Sequence, residues 1–111
     1  MVNQTLAQEV SQLEADLCFA LADSNRILIL YALAEESRNV TEITNDLNIT
    51  QPTASRHLKI LRERGLVFAE RNGTTITYHL TDRRLIDALD ILRSVLRDRL
   101  AHRASLMEEF E

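Results

Sequence analysis

Between Thr50 and Leu66 the sequence reads TQPTASRHLKILRERGL, a basic helix whose side chains have the types and spacing to contact a polyanion. With Ala54, Leu58 and Leu61 as its buried line, a step of about 100° per residue turns Pro52, Arg56, Lys59, Ile60 and Glu63 away from the core. Gln51, Thr53 and Ser55 flank that outward face at its amino end. A helix entering a DNA major groove presents its N-terminal residues to base edges, where amide, hydroxyl and guanidinium groups read donors and acceptors. The pattern therefore makes Gln51, Thr53, Ser55 and Arg56 candidate readers of sequence and Lys59 a phosphate contact. His57, beside that face, is expected on phosphate or packed against the preceding helix. Downstream, Arg71 and the Asn72-Gly73-Thr74 tip are placed to reach the backbone or minor groove.

Charge follows the same division. The chain of 111 residues has a formal net charge of −4, but the first 50 residues hold two basic against eight acidic side chains. From Gln51 to Thr75 five basic side chains face two acidic ones. Such an asymmetry steers a polyanion to the middle of the chain and discourages indiscriminate binding elsewhere.

Other chemistries find less support. Enzyme readings lack a phosphate-cradling glycine loop, since the two glycines are spent on a helix end and a hairpin turn, and no motif groups Ser, His and Asp into a nucleophile site. Cys18 has no basic neighbour in sequence to lower its pKa and reads as a buried structural cysteine. His79 alternates outward on a strand.

The elements that must position these residues are legible in turn. Leu6, Val10, Leu13, Leu17 and Leu21 make one stripe on a first helix. Asp23 or Ser24 caps a second helix, RILILYALAEES, apolar on most of its circumference and hence central. Thr41 is the expected cap of a short third helix that buries Ile43 and Leu47. Thr50 caps the fourth, Pro52 fits its first turn, and Gly65 ends it. LVFAER and TTITYHL then read as two strands separated by Asn72-Gly73. After the Thr81-Asp82 cap comes a long fifth helix with Leu85, Leu89, Leu92, Leu96 and Leu100 on one face. The fold expected is mainly α with a small β-hairpin, a winged helix-turn-helix in a single domain over 1–111. So short a chain buries a limited share of its surface, so a shared dimer core is expected. Residues 1–11 have no signal-peptide pattern, and no apolar run is long enough to span a bilayer, which points to a cytoplasmic protein away from membranes.

At these residues the chain resembles the ArsR/SmtB family of bacterial metal-sensing and related repressors. LADSNRILILYAL, TEITNDLNITQPTASRHLKILRERGLV and a wing ending ITYHL carry the resemblance, and SRHLKILRERGLV is its most specific part. It implies a homodimer formed through the first and last helices, an inverted-repeat operator in double-stranded DNA, and repression until an inducer releases it.

The chain departs from the family's metal sites. The Cys-x-Cys positions of arsenic, lead and cadmium sensors fall on Asn39 and Thr41, which supply no thiolate. Of the last-helix zinc and nickel ligands only His102 fits, because the other positions hold Leu89, Ile91 and Ser105. An alternative set, Asp98 and His102 one turn apart with Glu109 beyond, could hold a divalent metal such as nickel, zinc or manganese. The competing reading of Asp98 and His102 is an i, i+4 polar pair on a solvated helix. A dimeric DNA-binding repressor without the common metal sites is the leading expectation. A metal-responsive repressor and a winged-helix protein-interaction module are the alternatives.

Overall fold

Each helix begins where a short polar side chain takes up amides that have no intrahelical partner. Asn3 Oδ1 accepts from the Leu6 amide at 2.7 Å, Asp23 Oδ1 from Asn25 at 2.8 Å, and Thr50 Oγ1 from Thr53 at 3.4 Å. The third helix opens at Asn39 instead of the expected Thr41. Asn39 accepts from the Glu42 amide at 2.9 Å while the Glu42 carboxylate accepts from the Asn39 amide at 3.0 Å. That reciprocal capping box satisfies two amides at once, which a cap at Thr41 would not.

The computed structural model describes residues 2–109. Its elements are α1 (Gln4–Leu13), a π-helical turn (Glu14–Cys18), α2 (Ser24–Glu35), α3 (Val40–Leu47), α4 (Gln51–Glu63), β1 (Val67–Asn72), β2 (Thr75–Leu80) and α5 (Arg84–Glu109). The expected order of helices and hairpin is present, and the fold is a winged helix-turn-helix. The first stripe, however, is not one uninterrupted α-helix, because its hydrogen-bond register widens at Glu14. No residue of α1 is buried.

The core gathers on α2. Ile29, Leu30 and Leu33 meet Ile43 of α3, Ala54, Leu58 and Leu61 of α4, Leu66 and Val67 at the entry to β1, and Ile86 and Leu89 of α5. Burying one leucine or isoleucine side chain contributes roughly 1.5–3 kcal/mol. Helix α4 stops in a Schellman motif: Leu66 donates to the Leu61 carbonyl at 2.9 Å and Gly65 to Arg62 at 3.1 Å. Gly65 holds the required left-handed φ of +81°, and the buried pair Leu61 and Leu66 closes the turn.

The strands pair antiparallel from Val67 with Leu80 to Asn72 with Thr75. Asn72 thus belongs to β1, and the two-residue turn is Gly73-Thr74 where Asn72-Gly73 was expected. Gly73 at φ +66° supplies the positive dihedral that a hairpin turn needs at its first central residue. A contact invisible to periodicity anchors the hairpin: Tyr78 donates to the Arg38 carbonyl at 2.8 Å and Arg38 returns a bond to Tyr78 at 3.2 Å. Tyr31 donates to Asp90 at 2.6 Å and joins α2 to α5. No helix among the described residues is long and apolar enough to cross a membrane.

Candidate nucleic-acid interface

The caps and core contacts of α4 decide which side chains it shows. Ala54, His57, Leu58 and Leu61 are buried, at the i, i+3, i+4, i+7 spacing of one helix face. Gln51, Ser55, Arg56 and Lys59 are exposed on the other side. Arg56 has no ion-pair partner among the described residues, and Lys59 reaches only Glu63, at 4.0 Å with both groups largely solvated. A pair of that kind contributes little, so both cations are available to an external anion. Thr53 is half-buried, and its hydroxyl accepts from Thr50 at 2.9 Å within the cap.

Arg71, Asn72, Gly73 and Thr74 are all exposed at the hairpin tip. Between tip and helix lies a cleft of about 400 Å³ whose walls include Gln51, Ser55, Thr41, Thr74 and Tyr78. Gln51 and Ser55 of α4 and Thr74 of the hairpin thus face one space, although they lie some twenty positions apart in the chain. The cleft supplies hydroxyls and amides, and the exposed Arg56 and Lys59 of the same helix supply cations, the groups that bind base edges and phosphate.

His57 does not join them. Its ring is 3% exposed and lies on the buried line of α4, three residues after Ala54. Arg26 Nη1 is 3.3 Å from His57 Nδ1, and Asp23 Oδ1 is 3.8 Å from Nε2. A guanidinium can only donate, so Nδ1 is the acceptor and the neutral ring carries its proton on Nε2, toward Asp23. The expectation of a phosphate contact is corrected, because the side chain is buried; its polar partners lie at the start of α2. Burial pushes its pKa down, Asp23 pulls it up, and the charges of Arg26 and Arg56 lower it further, so it stays below the ordinary 6.5. Burial opposes the charge of Asp23, yet the amides of Arg26 and Asn25 and the charges of His57 and Arg26 outweigh it and hold the carboxyl low. The i+3 spacing from Ala54 was the signal in the sequence that could have placed His57 inside.

Other candidates are dispersed. Asp98 and His102 are exposed on α5, and the side chain of Glu109 lies outside the described residues. Among the described residues no three His, Cys, Asp or Glu side chains come close enough to hold a metal ion. At the thiolate positions of soft-metal sensors, the Asn39 side chain is engaged in its capping box, and the zinc position at Leu89 is a core side chain. Cys18 is exposed in the π-helical turn, which corrects the expectation that it is buried. His79 does not point freely outward: its ring stacks on Phe68 with centroids 4.8 Å apart, and Nε2 is 3.6 Å from Glu70.

Known proteins show the same pattern. The family model of bacterial regulatory proteins of the arsR family matches residues 23–68, from the α2 cap into β1. Over 78 residues the chain is 40% identical to the HTH-type transcriptional repressor SmtB of Mycobacterium tuberculosis, a match covering 70% of this chain and 58% of that protein. An HTH-type transcriptional regulator of the same species is 30% identical over 104 residues, covering 93% of this chain and 91% of its own. Among solved structures, a homodimeric winged helix-turn-helix DNA-binding domain from Mycobacterium bovis superposes with a TM-score of 0.76 at 30% identity, over 91% of this chain and 93% of that one.

Proposed function

This chain belongs to the ArsR family of bacterial regulatory proteins, and from that premise we propose that it is a sequence-specific DNA-binding repressor acting in the cytoplasm. Helix α4 enters the major groove of double-stranded DNA with Gln51, Thr53, Ser55 and Arg56 toward base edges. Lys59 meets phosphate, and Arg71, Asn72, Gly73 and Thr74 follow the adjacent backbone or minor groove. The observation that carries this reading is that Gln51 and Ser55 of α4 share one cleft with Thr74 of the hairpin tip, while Arg56, exposed on the same helix, has no ion-pair partner among the described residues.

Two copies act together. Leu6, Val10 and Leu13 of α1 and Leu92, Leu96 and Leu100 of α5 are exposed apolar side chains on the two helices that would form the subunit interface. A homodimer pairs them and sets two recognition helices about one turn of DNA apart, so the operator is an inverted repeat.

The test is fluorescence anisotropy on a duplex from upstream of the protein's own gene, against a scrambled duplex of equal length. Preferential binding to the first supports the reading. Equal binding at every salt concentration removes it in favour of an interaction module. Repeating the titration in chelator and then with zinc, nickel or manganese tests the set Asp98, His102 and Glu109. A tenfold shift in affinity, about 1.4 kcal/mol of coupling, marks a metal-responsive repressor.

A further inference from the structure

Helix α4 is fastened to the N-terminal segment at two points, and both fastenings end on backbone carbonyls of one short stretch. At its C-terminal cap Arg64 donates from Nη1 to the Ala15 carbonyl at 2.9 Å and to Asp16 Oδ1 at 3.1 Å. At mid-helix His57 meets Arg26, whose Nε donates to the Ala20 carbonyl at 2.7 Å and whose Nη2 donates to the Phe19 carbonyl at 3.2 Å. The Phe19 ring lies beneath both guanidinium groups, 4.6 Å from Arg64 and 5.7 Å from Arg26, within cation–π distance of each.

The π-helical turn makes the first fastening accessible. In an α-helix the Phe19 amide would donate to the carbonyl of Ala15, four residues back. Here it donates to Glu14 and Asp16 instead, and the Ala15 oxygen, having lost its α-helical partner, accepts from Arg64, 49 positions away in sequence. Isolated π turns of this kind are rare and are frequently found at functional sites.

We infer that the π turn, Phe19, Arg26 and Arg64 form a joint that sets the recognition helix against the π turn and the residues just after it, which continue from α1, and that Arg64 is a positioning residue for DNA reading. This rests on α4 being the DNA-contacting helix. Apolar contacts through Leu58 and Leu61 hold α4 to the core without specifying its roll or slide, because dispersion and burial are non-directional. Hydrogen bonds at mid-helix and at the cap supply that direction. Helix α1 carries exposed Leu6, Val10 and Leu13, so the joint connects the reading face to the surface that meets a second copy. A dimer reads two half-sites only when its recognition helices keep a fixed separation. Both side-chain hydrogen bonds of Arg64 end on the π turn, at Ala15 and Asp16.

The test uses the full chain with Arg64→Ala and Arg64→Lys, beside Arg56→Ala. Anisotropy on the upstream and scrambled duplexes is measured across a salt series, and amide hydrogen exchange is measured without DNA. Arg64→Ala is expected to lose tenfold or more in affinity for the upstream duplex while its binding to the scrambled duplex and its salt slope stay those of the wild type. Arg64→Lys, which can still donate to Ala15 or Asp16 but has no planar face for Phe19, falls between. In Arg64→Ala the amides of residues 57–64 exchange faster while those of α2 keep their protection.

A salt slope reduced by about one would make Arg64 itself a phosphate contact and overturn the inference. So would an unchanged affinity for the upstream duplex in a folded but less stable variant, the mark of a merely structural bond. If the wild type distinguishes neither duplex, the DNA reading fails separately. The joint is then judged by exchange alone, and unchanged protection at 57–64 in both Arg64 variants removes it.

Discussion

Helices α2 and α5 are both rich in leucine and isoleucine, yet they end in different environments. Ile29 and Leu30 of α2 are fully buried, whereas past Leu89 the side chains of Leu92, Leu96 and Leu100 are 62%, 55% and 53% exposed. Helix α2 is enclosed by α3, α4, β2 and α5 of the same chain. Among the described residues the outer turns of α5, like the whole of α1, are not enclosed in this way. The difference separates a winged unit that is complete within one chain from terminal helices whose apolar faces stay exposed.

That contrast can be broken most directly at its two ends. Leu58→Ala hollows the enclosed core and is expected to lower unfolding free energy by roughly 2–5 kcal/mol, read by denaturant titration. Leu96→Glu places a carboxylate, twice over in a symmetric pair, on the open face. It should weaken self-association a hundredfold or more, about 2.8 kcal/mol, in sedimentation equilibrium while far-ultraviolet circular dichroism is preserved. The wild-type melting temperature should rise with protein concentration and that of Leu96→Glu should not. If Leu96→Glu instead unfolds the chain as Leu58→Ala does, the terminal helices belong to the core and the contrast fails.

Smaller effects separate the two sides of α4. Arg56→Ala should cost about 1–3 kcal/mol in operator binding and relax sequence preference at one position, with unfolding free energy unchanged. Lys59→Ala should weaken binding to all duplexes alike and reduce the salt slope by about one. On the buried side the readout is pH. An unfolded chain protonates His57 near 6.5, while the folded ring, held below that value by burial first and by Arg26 and Arg56, resists. Between the folded pKa and 6.5 the unfolded state binds more protons, so stability falls as pH falls through that window and is complete above it. His57→Gln should flatten this part of the stability profile. Asp23, held below 3.8, loses its contribution only under more acid conditions, which keeps the two groups distinguishable.

The caps at Asp23 and Thr50, Pro52 in the first turn of α4 and the stop at Gly65 were legible because each depends on residues within a few positions. Asn39 was legible too, through Glu42 three residues later, but the hydroxyl of Thr41 drew the cap to the wrong residue. The turn slipped by one position for a related reason: Asn72-Gly73 is a strong hairpin signal, yet pairing of Asn72 with Thr75 decides which residues are central. The candidate reading face followed from three buried positions on one helix. The i+3 spacing from Ala54 places His57 on the buried line, but its partners Arg26 and Asp23 come from a distant stretch of the chain.

Sequence alone determined the order of helices and hairpin, the basic outward side of α4 and the apolar stripes of the two terminal helices. Those features follow from local hydrogen bonding and from the periods of helix and strand. Tertiary structure decided the rest: the π turn that offers Ala15 to Arg64, the bridge from Arg38 to Tyr78, the enclosure of His57 by Arg26 and Asp23, and the exposure of Cys18. Each depends on groups distant in the chain or on which neighbours cover a surface, and no periodicity along the chain encodes whether two such groups meet.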